Sequence, residues 1–188
     1  MQSIWKTSIR FTLLSTLVLG CVYPLTMTGI AKLVFPGQAS GSLIRVNGAI
    51  IGSSLIGQSF PSDRYFHSRP SAAGNGYDAT SSGGSNLAQS NSLLINRIQS
   101  DIAQLQQKNS DTPVPIDLAT ASASGLDPDI TPDAAYFQVP LVAKARGVNQ
   151  GVLRSLIARH IQGRQWGVFG EPRVNVLQLN LALDAMSK

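Results

Sequence analysis

The residues able to do chemistry are few, and their spacing does not favour it. Nine of the ten carboxylates are aspartates and Glu171 is the single glutamate, so paired-glutamate acid–base work is excluded. Asp127, Asp129 and Asp133, in the stretch GLDPDITPD, have the density of a cation loop. They lack the glycine and the bidentate glutamate of an EF-hand, so turn-forming and capping roles are expected instead. His67 and His160 have no cysteine or glutamate at ligand spacing, which argues against zinc. No G-x-S-x-G elbow occurs, and Ser71, Ser122 and Ser124 have no visible base partner. No Gly-Lys pair occurs either, so a Walker A phosphate loop is absent. The SSGGSN stretch, Ser81 to Asn86, could turn backbone amides toward an anion but reads first as a flexible turn. Arg69 and Arg173 are expected to organise loops through carboxylate or carbonyl bonds. Nothing composes an independent active site.

The elements around these residues begin with a membrane segment. Between Arg10 and Lys32 lie 21 uncharged residues, enough at about 1.5 Å each to cross a hydrocarbon core of roughly 30 Å. Trp5 and Phe35 flank the run at interfacial spacing, and Tyr23 and Pro24 lie toward its outer half, where a proline is tolerated as a kink. Lys6 and Arg10 favour a cytoplasmic N-terminus, with the long C-terminal part exported. The expected organisation is a cytoplasmic tail over 1–8, a transmembrane helix over 9–33 and an extracytoplasmic domain over 34–188. A cleaved signal peptide has a shorter apolar core. The competing reading is a lipoprotein box at VLGC that would lipidate Cys21, but Leu19 is large for such a box and the apolar run continues past the cysteine.

The net charge of +5 comes from 15 basic and 10 acidic residues. Setting aside Lys6, Arg10 and Lys32 leaves 12 against 10, and no basic patch for nucleic acid remains. Charged residues at 13% and aromatics at 6% also argue against a coiled coil or a charged disordered tail. Cys21 is the only cysteine, so no disulfide can form in the exported part.

In that part Asn47-Gly48 predicts a hairpin over 43–56, because both residues accept positive φ. Residues 61–92 have no helical or strand period and read as a long loop, too aromatic and charged for pure disorder. A helix is expected from Asn91, with Leu94, Ile98, Ile102 and Leu105 as its buried stripe. A second starts at Thr131-Pro132 and is expected to break or kink at Pro140. A third follows Asn149, with Val152, Leu153, Leu156, Ile157 and Ile161 inward and Arg154, Arg159 and Arg164 outward. RVNVLQLNL alternates like a strand before a tail that turns helical. The fold class is α+β: one N-terminal span, then one exported domain with a mixed or antiparallel sheet and about three helices.

The order of YP in the span, then QASGSLI, LIGQSF, YFHSRPSA, SGGSNLAQSN, TASASGLDPDITPDAA, VAKARG and GEPRVNVLQLNLALD resembles the C subunit of the Kdp potassium-transporting ATPase. YFHSRPSA and SASGLDPDITP are its most specific stretches. The resemblance implies a non-catalytic subunit of an ATP-driven potassium importer in a bacterial inner membrane. The implied partners are a channel-like potassium-conducting subunit, a P-type ATPase subunit and a small single-span subunit, besides membrane lipid. It implies no cofactor for this chain itself, ATP and potassium being handled by the complex. It also implies a role as a catalytic chaperone raising the ATP affinity of the pump subunit, for which Gln138 matches the glutamine invoked for nucleotide. Arg69, Ser85, Asn86 and Asp127 match as structural or interaction residues. Gly20, Thr26, Thr28 and Gly29 are expected to pack against partner spans. Leu141 departs from the arginine expected after QVP, which puts any contact by that side chain in doubt.

Overall fold

The computed structural model describes residues 2–110 and 112–186. Met1 of the expected tail, and Ser187 and Lys188 of the expected exported domain, lie outside the described residues. Internal packing divides the chain into two compact units, Met1–Ile51 and Gly52–Lys188.

The first unit is a long apolar helical stretch followed by a hairpin. Helix α1 (Gln2–Leu17) passes through a π turn at Val18–Val22 into α2 (Tyr23–Val34). Within it Ser3–Val34, 32 residues, is long and apolar enough to cross a membrane. The π turn explains how Pro24 is accommodated: the ring has no N–H and would press on the carbonyl of residue 20 in a regular helix. The wider turn, with the Tyr23 N–H donating to the Val18 carbonyl, relieves that clash without breaking the helix. A one-turn helix, α3 (Pro36–Ala39), precedes β1 (Leu43–Val46) and β2 (Ala49–Ser53), which form a two-stranded sheet. Asn47 and Gly48 between them have φ of 51° and 83°, the left-handed pair that a tight hairpin requires.

The second unit holds α4 (Ser92–Lys108), α5 (Ile116–Ala119), β3 (Asp129–Ile130), α6 (Pro132–Arg146), α7 (Gln150–His160), β4 (Ile161–Gln162), β5 (Arg173–Asn175) and α8 (Val176–Ala185). The short strands form an antiparallel sheet in the order β3-β5-β4, with Ile130 and Ile161 both opposite Val174. Val139, Val142, Leu153, Ile157, Val174 and Leu183 are among the fully buried residues that join α6, α7, α8 and the sheet in one core. The chain is therefore α+β with one N-terminal apolar helix of membrane-spanning length.

The caps at Asn91, Thr131 and Asn149 sit where their residue types demand, each side-chain oxygen accepting a first-turn N–H. Three expectations need correction. Of the break or kink expected at Pro140, the break does not occur, and α6 runs on to a left-handed Gly147 at φ 68°; packing of Val139, Val142 and Ala143 into the core outweighs the one bond proline removes. The strand expected through Leu181 ends at Asn175, whose side chain caps α8 by accepting from Gln178 N. Val176, Leu179, Asn180 and Leu183 then fall on one helical face, a period of 3.6 that local alternation had masked. Finally, the inward stripes are incomplete. No residue of α4 is fully buried, Ile102 is 40% exposed, and so is Val152 on α7.

Candidate functional site

Residues 54–91 contain no helix or strand, yet Phe66 and Ala73 within them are completely buried. Side chains from distant elements hold this segment in place. Asn180 on α8 accepts from Phe66 N and donates to Phe66 O, both at 2.9 Å. Gln138 on α6 treats the next residue the same way, accepting from His67 N at 2.7 Å and donating to His67 O at 3.1 Å. Each amide thus replaces a neighbouring strand, satisfying backbone groups that burial has removed from water. One residue earlier, Tyr65 donates to Asp184 and lies under the Arg146 guanidinium, 4.8 Å from its ring centroid. Arg146 is nearly buried, pairs with Asp184 at 2.6 Å and donates to the Arg64 carbonyl.

Arg69 anchors the other end of this stretch. It pairs with Asp127 at 3.2 Å and donates to the carbonyls of Thr120 and Ala121, which fixes the TASASGLD loop, residues 120–127. Tyr77 donates to Arg69 O, and Ser71 donates to Gly125 O at 2.6 Å. Gly125 stands at φ 66° with Gly83 O and Ala73 N at 2.6 and 2.7 Å from where a Cβ would be, so only glycine fits. Gly83 N and the Ser82 hydroxyl donate to Ser124 O, closing the SGGSN stretch onto the same loop. Ser85 and Asn86 line a groove of ≈ 330 Å³ on one side of that loop, with Arg97 and Thr120. Arg69 and Asp127 line another, of ≈ 320 Å³, with Asp129, Glu171 and Arg173.

The charged side chains of the second groove are all bonded within the fold. Arg173 pairs with Asp129 at 3.0 Å, and Asp129 also accepts from Asn175. Desolvation raises the Asp129 carboxyl above its ordinary value, opposed by Asn175 and Arg173. Asp127 accepts from Asp129 N in a local turn, and Asp117 accepts from both the N–H and hydroxyl of Thr131 at the start of α6. Among the described residues no cluster of three histidine, cysteine or acidic side chains has metal-binding geometry.

His67 and Ser68 border a separate cavity of ≈ 160 Å³ walled by Leu105, Leu118, Phe137 and Leu141. His67 Nε2 and Ser68 Oγ are buried there without a hydrogen-bond partner. Burial, then Lys108, pulls the His67 imidazole below its ordinary 6.5, against smaller upward effects of Asp63 and the Phe60 backbone. His160 instead caps its own helix, with Nδ1 2.9 Å from Leu156 O.

The structure therefore brings Arg69, Ser85, Asn86 and Asp127 around one loop, and pairs Gln138 with His67 instead. Gly20 and Gly29 lie in the N-terminal stretch, and a Cβ at Gly29 would meet nothing within 4 Å. Cys21 is a free, exposed residue of the π turn. Sequence reasoning missed Asn180, Arg146, Asp184 and Asp117. A polar residue on the apolar face of α8 is the available signal for Asn180, but it is visible only once that segment is read as helix.

Comparison with known proteins covers almost the whole chain. The family model described as KdpC, K+-transporting ATPase, c chain, matches residues 5–185. The potassium-transporting ATPase KdpC subunit of Acidobacterium capsulatum is 58% identical over 181 residues, covering 96% of this chain and 97% of that one. The KdpC subunit of Koribacter versatilis is 54% identical over 178 residues, 95% of this chain and 92% of its own length. That of Bradyrhizobium diazoefficiens is 50% identical over 191 residues, 95% of each. The match takes in residues that lipidation at Cys21 would discard, so the lipoprotein reading is not favoured. The clamped YFHSR stretch, the TASASGLD loop and the N-terminal apolar helix thus belong to a chain of the KdpC family, the c chain of the K+-transporting ATPase.

Proposed function

We propose that this chain is a non-catalytic accessory subunit of a potassium-importing ATPase complex in a bacterial inner membrane. Its exported domain stabilises the assembly and shapes ion access at the outer mouth of the channel-like subunit. The P-type ATPase subunit and a small single-span subunit complete the complex, with Gly20, Thr26, Thr28 and Gly29 packing against partner spans. One observation carries this reading: the family-matching side chains Arg69, Asp127 and Gln138 all bond within the fold, which suits a rigid docking body better than a reacting site. Lys6 and Arg10 support a cytoplasmic N-terminus. With the domain outside, any effect on ATP affinity passes through the membrane as a coupling free energy, and Gln138 contributes to it by holding His67 rather than by touching nucleotide.

The test is deletion of residues 52–188 in cells that depend on the complex for potassium. Loss of co-purifying ATPase and channel-like subunits, or a higher potassium requirement for growth, is expected. Unchanged uptake with an intact complex refutes the proposal. An Arg69→Met variant that assembles normally but weakens ATP affinity would favour the chaperone reading.

A further inference from the structure

Between β4 and β5 the chain makes an excursion whose chemistry is unlike the rest of the domain. Trp166 is 91% exposed, Val168 70% and Phe169 59%, three large apolar side chains on one turn. The turn is built rather than loose. Arg164 donates to both carboxylate oxygens of Glu171, at 2.8 and 2.7 Å, and closes the neck. Gln165 pairs across to Phe169, and the Trp166 ring meets the Phe169 ring edge-on at 6.0 Å. Trp166 and Gly167 take positive φ, 52° and 76°, which turns the chain sharply at the tip.

Four of the five N–H groups from Gln165 to Phe169 are also engaged within the turn. The N–H groups of Gln165, Gly167, Val168 and Phe169 all donate to carbonyls of Arg164, Gln165 or Phe169. A partner that adds a strand needs a row of free backbone donors, and these four are taken. A hydrocarbon boundary needs the opposite, namely satisfied backbone groups with apolar side chains outward. The neck is neutral because Glu171 offsets Arg164, and an indole with an exposed ring and N–H is the side chain best suited to a membrane interface. A membrane is also at hand. Only residues 35–51 separate the apolar helix from the second unit.

We propose that the Trp166–Phe169 turn inserts into the interfacial zone of the bilayer that holds α1 and α2, giving the exported domain a second, reversible foothold on lipid. This goes beyond the ion-access reading and does not rest on it, since it requires only the span.

The sequence contains two tryptophans, so Trp5→Phe leaves Trp166 as the sole emitter. The full chain carrying that change is placed in nanodiscs of phosphatidylcholine, plain or brominated on the acyl chains. Interfacial insertion gives blue-shifted emission that brominated lipid cuts at least about two-fold. Red-shifted, unquenched emission means the tip stays in water and overturns the proposal. Blue-shifted but unquenched emission means protein covers the tip, which overturns it as well. Adding Phe169→Asp should restore most of the emission with the circular dichroism spectrum unchanged; quenching that persists shows some other element carries Trp166 to lipid, and rejects the turn as the anchor.

Discussion

Replacing Asn180 by leucine keeps the size of the side chain but removes both of its bonds to Phe66. Phe66 is fully buried and Asn180 is 2% exposed, so water cannot take over either group. One N–H and one C=O are left unsatisfied, at about 1–3 kcal/mol each. Leucine's own burial returns part of this, about 1 kcal/mol or more relative to a polar amide. The expected net loss is about 3 kcal/mol, or a fall of roughly 6–12 °C in Tm for a domain of this size. Gln138→Met should cost a similar amount by orphaning His67. Because residues 66 and 67 are adjacent, the double variant should cost less than the two singles together. Thermal unfolding of the detergent-purified chain measures all three, and hydrogen exchange at the amides of Phe66 and His67 shows where protection is lost. If Asn180→Leu lies within about 0.5 kcal/mol of the parent with both amides still protected, the two-amide clamp does not hold this segment.

His67 titrates below its ordinary 6.5 in the folded chain, so the unfolded state binds the proton more readily. Its contribution to stability is then complete above 6.5 and lost as pH falls through the lowered folded value. Unfolding midpoints measured across this window should drop toward acid, and His67→Gln should flatten the slope. Gly125→Ala meets positive φ together with backbone atoms at 2.6 and 2.7 Å, so a loss of at least about 2 kcal/mol and faster proteolysis at SGGSN are expected.

The parts of this fold governed by neighbouring residues were legible in the sequence. Asn47-Gly48 specifies its hairpin, and Asn91, Thr131 and Asn149 mark helix starts, because a turn or a cap is decided within a few residues. The α8 segment misled because leucines at 177, 179, 181 and 183 alternate as a strand would, while Asn175 had already capped a helix. Pro140 does not interrupt α6 because local propensity lost to core packing. The ordered segment at 54–91 was legible only as a long loop with too many aromatics to be disordered. The groups that order it, Gln138 and Asn180, lie 71 and 114 positions away, and no local pattern announces a side-chain amide paired to a remote backbone. The resemblance reached Arg69, Ser85, Asn86 and Asp127, which lie around one loop, but gave no sign that Gln138 holds the backbone of His67.

The two-amide clamp also sets a timetable. The YFHSR stretch is synthesised well before α8, and at about 10 residues per second the 114-position gap between Phe66 and Asn180 amounts to some ten seconds of synthesis. Throughout that interval Phe66 has no amide to receive it and stays open to proteases and to wrong partners. Closure waits for the last helix among the described residues, so the finished clamp certifies that the chain has been made through α8. A nascent chain halted before α8 would keep its Arg69 and Gln138 anchors but leave Phe66 without its amide, a form that quality-control proteolysis can distinguish from a complete subunit.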